Sequence, residues 1–82
     1  MISFANHVQT INDGTLVKRI YHCVLEDGQW SGDVTVETTV LTLTDTEVDE
    51  LVYTSLASSI SSQATAALGV TITVDEDEMR IT

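Results

Sequence analysis

The hydrophobic and polar positions along the chain change period from strand-like to helix-like near its middle. Residues 2–11 alternate loosely, with Ile2, Phe4 and Val8 apolar, and run into Asp13-Gly14, a turn signal. Residues 15–26 contain LVKRIYHCVLE, rich in β-branched and aromatic side chains, and predict the strongest strand. Both of its faces carry apolar residues, Val17, Tyr21, Cys23 and Leu25 on one and Leu16, Ile20 and Val24 on the other. That pattern predicts a central strand covered on both sides. Residues 34–43, VTVETTVLTL, predict a further strand with Val34, Val36 and Val40 on one face, and the slip at Val40-Leu41 predicts a bulge or strand end. The connection EDGQWSGD between these strands holds two glycines and has the length of an ordinary hairpin loop.

From Thr44 onward the spacing becomes helical. Val48, Leu51, Val52, Leu56, Ile60 and Ala67 recur at steps of three and four or their multiples. Thr44 with Glu47, or Thr46 with Asp49, offers a capping box, and Asp45, Glu47, Asp49 and Glu50 suit the positive N-terminal end of a helix dipole. Gly69 is a natural residue to close the helix. VTITV, residues 70–74, predicts a short strand, and DEDE then leads to the apolar pair Met79 and Ile81. The element order is therefore β-β-β-α-β. It predicts a single α+β domain over residues 1–82, a small antiparallel sheet with one helix packed on it.

Length changes the picture by limiting the core. A chain of 82 residues buries only about 60% of the surface its unfolded form exposes. Such domains lean on disulfides, metals or partners. Cys23 is the only cysteine, so an internal disulfide is excluded and a metal or a partner chain is the expected support.

Charge narrows the partners. Thirteen acids against Lys18, Arg19 and Arg80 give a net charge of −10, which repels phosphate backbones and anionic lipid, so neither nucleic acid nor membrane is expected as a partner. The opening MISFANHVQTIND lacks the basic and apolar regions of a signal peptide, and no run is long enough to cross a bilayer, so a soluble protein is expected. The charges are also uneven. Residues 26–50 hold eight acids and no base, whereas residues 51–74 hold no charge at all.

Candidate chemistry concentrates in YHCVLEDGQWSGDV, residues 21–34. Adjacent strand side chains point to opposite faces, so His22 and Cys23 cannot readily share a metal or act as base and nucleophile. His7 would approach His22 only if the first two strands pair, and a zinc site needs three or four ligands. Cys23 reads as a packing residue and His22 as a packed or hydrogen-bonded strand histidine. DEDE lacks the spacing and glycine of a calcium loop, and neither a phosphate-binding glycine loop nor a serine elbow is present. No catalytic, cofactor-binding or metal-ligating residue is therefore nominated, and no enzyme is expected.

Two features point instead to contacts with other proteins. Trp30, between Gly28 and Gly32, reads either as an exposed anchor or as a ring folded back over the sheet. The stretch TSLASSISSQATAA, residues 54–67, is small and uncharged where an isolated surface helix normally carries Glu and Lys. Interface cores are depleted in charge, and small residues admit a neighbouring backbone closely. The candidate interface residues are Trp30, Tyr53, Ser55, Ser58, Ser59 and Ser62.

The run VKRIYHCVLEDGQWSGDVTVETTVLTLTDTEVDELVYTSLASSISSQ resembles short proteins encoded near the head and tail genes of tailed bacteriophages. The shared pattern is a strand, an acidic glycine turn (Glu26-Asp27-Gly28), a valine-rich strand, and a helix opened by Leu43-Thr44-Asp45-Thr46-Glu47. The resemblance covers about residues 17–63. It implies a virion-associated structural protein, either a capsid cement (decoration) protein or a tail or neck accessory. The implied partners are the major capsid protein or another virion protein, together with further copies of the chain as a dimer or trimer. Two other classes stand beside this one: an acidic inhibitor or DNA mimic that binds a basic host protein, and a small metal or ligand binder using His7 and His22.

Overall fold

The structure, a computed structural model, describes residues 3–26, 28–39 and 43–82. It has the expected α+β class and β-β-β-α-β order. The elements are β1 (Ser3–Asn12), β2 (Val17–Leu25), β3 (Ser31–Thr38), α1 (Asp45–Leu68), a 3-10 turn (Glu76–Glu78) and β4 (Met79–Ile81). The sheet order is β3-β2-β1-β4. The first three strands form an antiparallel meander, and β4 adds to the free edge of β1 in parallel. The sheet is thus mixed, because α1 carries the chain from one edge to the other and returns it running the same way as β3.

Local chemistry accounts for the turns. Between β1 and β2, a carboxylate oxygen of Asp13 accepts the backbone N–H of Leu16 at 2.7 Å and of Thr15 at 3.0 Å. Those bonds, Leu16 first, hold the Asp13 carboxyl below its ordinary pKa. Between β2 and β3, Gly28 takes a φ of 72°, where a side chain is disfavoured, and donates its N–H to the Leu25 carbonyl at 2.9 Å.

The helix starts and stops as its sequence predicts. The Thr44–Glu47 capping box forms, with Glu47 N–H donating to the Thr44 hydroxyl and Thr44 N–H to the Glu47 carboxylate. The alternative pair, Thr46 with Asp49, does not cap it. Gly69, at φ 72°, closes the C-terminus and donates its N–H to the Thr65 carbonyl. At about 1.5 Å per residue, 24 residues make a rod of about 36 Å, which runs the 38 Å length of the molecule.

One face of the sheet meets this helix. Tyr21, Cys23, Leu25 and Val34 from the strands pack with Val48, Val52, Leu56, Ile60 and Ala64 from α1 and with Met79. The buried helix row steps by four residues and so drifts about 40° per step around the axis. Leu51 falls on the far side of that drift and is 60% exposed, contrary to the sequence pattern, and Ala67 lies exposed beyond the last buried residue, Ala64.

The strands depart from expectation in several ways. β2 is not covered on both sides: Val17, Arg19, Tyr21, Cys23 and Leu25 are buried, while Lys18, Ile20, His22 and Val24 face outward and among the described residues no element covers them. β1 buries its small residues, Ser3 and Ala5, and exposes Phe4 and Val8; a bulge between His7 and Gln9 adds Val8 to the strand without a partner of its own. VTITV is not a strand. Ile72 and Val74 are buried, but the segment's backbone bonds to helix side chains: Ile72 N–H donates to the Thr65 hydroxyl at 2.9 Å and Val74 N–H to the Ser61 hydroxyl at 2.7 Å. β3 also begins and ends earlier than its valines suggest, and Ile2 and the slip at Val40-Leu41 lie outside the described residues.

Candidate interaction surface

The reactive side chains of β1 and β2 are dispersed rather than assembled. Cys23 is fully buried, donates its thiol to the Tyr21 carbonyl at 3.7 Å, and is held protonated by burial, its pKa pushed up to about 11. His22 faces outward and pairs with Asp33 at 2.9 Å across the β2–β3 ladder. The first two strands do pair, yet His7 sits opposite Tyr21 and His22 opposite Asn6, so the two histidines stand on opposite faces. His7 bonds Thr10 instead, at 2.7 Å. Among the described residues no group of three or more His, Cys, Asp or Glu side chains is placed to hold a metal ion.

A charged cluster that sequence reasoning missed ties the sheet to the helix. Arg19 is 2% exposed and reaches Asp45 at 3.0 Å and Asp49 at 3.2 Å, and the Tyr21 hydroxyl donates to Asp49 at 2.7 Å. The guanidinium carbon lies 5.7 Å from the centre of the Tyr21 ring, within cation–π range. Burial first, and then the Asp49 carboxylate, push the Tyr21 pKa up, so its hydroxyl keeps its proton. The available signal was an Arg at an inward position of a strand followed by acids one helical turn apart. Three of the four acids opening the helix thus have partners inside the chain, Asp45 and Asp49 on Arg19 and Glu47 in the cap.

The nominated interface residues separate into groups. Ser55, Ser58 and Ser62 lie exposed on one side of α1, in line with exposed Leu51 and Ala66 at steps of three and four. Ser59 is half-buried at the margin of this stripe. Tyr53 packs against the core and, with Glu50, Thr54, Glu76 and Asp77, lines a shallow cleft of about 330 Å³. Trp30 does not join the serines. Its indole packs inward on the core and over Gly32, so of its two readings the folded-back one describes the ring's position.

The neutral helix therefore has two sides. Thr54, Ser61 and Thr65 turn toward the returning chain, with Thr54 bonded to Glu76 and the other two to the backbone of residues 72–74. Ser55, Ser58 and Ser62 remain outward, a charge-free stripe on a chain of net charge −10. No family model, curated protein or solved structure matches the chain. Among the described residues no helix is long and apolar enough to cross a membrane.

Proposed function

We propose that the chain is a non-enzymatic structural protein of a tailed-bacteriophage virion, a capsid cement protein that binds the major capsid protein and stabilises the head. The observation that carries this reading is the outward helix stripe, with Leu51 60% exposed beside Ser55, Ser58 and Ser62 and no charge from residue 51 to 74. A contiguous neutral strip on a chain of net charge −10 fits the charge-depleted centre of a protein interface better than a solvated face. Small side chains there let a partner's backbone approach closely. The strand–turn–strand–helix pattern of residues 17–63 supports the phage assignment, and a tail or neck position is the alternative within the same class.

Mass spectrometry of purified virions from the phage that encodes the chain tests the assignment: stoichiometric copies are expected in the particle. Particles lacking the chain are then mixed with purified protein. Wild type is expected to bind and Ser58→Glu to bind at least about tenfold more weakly, since it puts a carboxylate in the stripe. Absence from virions overturns the reading, and undiminished binding by Ser58→Glu overturns the stripe as the contact.

A further inference from the structure

The outward face of the sheet offers a second surface with a different charge character. Down its rungs stand Phe4 beside Val24, Asn6 beside His22, Gln9 beside Ile20, and Ile11 beside Lys18. Phe4 is 41% and Ile11 42% exposed, although Ile20 and Val24 are half-shielded by their neighbours on the sheet. The charged strand residues on this face are Lys18 and Arg80 against Asp33 and Glu37, which cancel, leaving the whole net charge of −10 on the rest of the chain. The groups are also satisfied locally. Lys18 lies 4.0 Å from Glu37, His22 lies 2.9 Å from Asp33, and Arg80 donates to the carbonyls of Asp77 and Met79.

We infer that this face is where two copies of the chain associate, sheet against sheet, to give a four-layer α/β/β/α dimer. The charge distribution selects the occupant. A strongly basic or acidic partner finds no net charge to complement here, and a second copy approaching by most other surfaces meets acid with acid. Self-association on this face brings neutral surface to neutral surface, as the narrow helix stripe also would. Here it does so over the breadth of three strands and with Lys18 and Glu37 already beside each other. The area is of the right order as well. Three strands of about 9 residues, at ~3.3 Å rise and ~4.8 Å spacing, present roughly 430 Å² in projection. Side-chain relief raises the accessible area above that projection, so two copies approach the ~1,000 Å² total that a specific interface requires. Pairing would also cover Phe4, Ile20 and Val24, which a small single-layer sheet leaves wet, while leaving the helix stripe free.

Sedimentation velocity and light scattering of the full chain, from micromolar to near-millimolar concentration, test this. A particle of twice the 8.9 kDa chain mass is expected. Ile20→Glu and Thr35→Glu, which put carboxylates on two strands of the face, should each weaken association by about tenfold or more. Ser58→Glu should leave the mass unchanged. Thr35 is exposed, so its variant tests the face even if Ile20→Glu fails to fold. A chain that stays at 8.9 kDa near millimolar concentration overturns the inference, as does a dimer that survives Thr35→Glu or dissociates with Ser58→Glu. The inference stands apart from the virion reading: a dimer absent from virions retains it, and a virion-bound monomer overturns it alone.

Discussion

A β-carbon added at Gly32 would stand 2.7 Å from Cζ2 of Trp30, closer than two carbons can approach without one of them moving. Gly32 pairs with Cys23 on the core side of the sheet, so the indole occupies the space that a side chain at residue 32 would fill. The glycine is there for the ring above it, since its backbone is ordinary. Gly32→Ala is therefore expected to displace Trp30 and to cost about 1–3 kcal/mol, the usual range for overpacking. Urea unfolding measures the loss, and the tryptophan emission of the folded variant should move to the red as the indole gains water. Trp30→Leu combined with Gly32→Ala should cost less than the two single changes added together. Strict additivity would mean that the ring does not depend on the glycine.

At the scale of elements, the tie between β2 and the first turns of α1 combines ions with apolar contact, Arg19 reaching Asp45 and Asp49 beside buried Val48 and Val52. Arg19 has a side chain only 3% exposed and draws on Asp49, which is 22% exposed, and on Asp45, which is 76% exposed and screened by water. Removing Asp49 leaves a buried guanidinium with one solvated partner and the Tyr21 hydroxyl with none of its present bond. Asp49→Ala is expected to cost about 3–5 kcal/mol, the range for breaking one half of a buried pair. The double change Arg19→Met with Asp49→Ala should recover part of that loss, because no unpaired charge then remains inside. A double variant as unstable as the sum of its parts would show that the pair is not coupled. This cluster also marks how far the sequence was legible. Helix, cap and closing glycine were readable because each depends on neighbours three or four positions away. The inward Arg19 and its acids lie 26 and 30 residues apart, and no local pattern joins them. VTITV misled for a related reason. Its alternation was real, and Ile72 and Val74 are buried as a strand would bury them, but Ser61 and Thr65 supply the hydrogen bonds that a neighbouring strand would otherwise provide. The serine stripe was legible as neutral, yet the sequence could not divide the hydroxyls that serve the fold from those that face outward. The open side of β2 was illegible too, since an apolar strand face looks alike whether its cover comes from the same chain or another.

For the whole molecule, the decisive property is an acidic shell around a short chain. The acids gather at the start of α1 and in residues 75–78, while two of the three basic residues sit on the neutral sheet face. Compaction brings those carboxylates together, and self-repulsion at net charge −10 opposes the folded state. Salt acts on this repulsion more than on the Arg19 cluster, because exposed charges are screened and buried pairs much less so. Raising NaCl from ~0.05 M to ~0.5 M shortens the screening length from roughly 14 Å to roughly 4 Å, less than the spacing of most acids on such a surface. If the relief is worth about 1 kcal/mol, the midpoint of thermal unfolding should rise by about 4–8 °C for a domain of this size. Circular dichroism at a dilution where the chain is monomeric isolates the effect from association, which salt would also favour. Sodium chloride and tetramethylammonium chloride at equal ionic strength should act alike, because screening does not depend on which cation supplies it. A midpoint that falls with salt would mean that attraction between exposed opposite charges, such as Lys18 and Glu37, outweighs the repulsion, and the acidic shell would then not be the dominant effect of charge on stability.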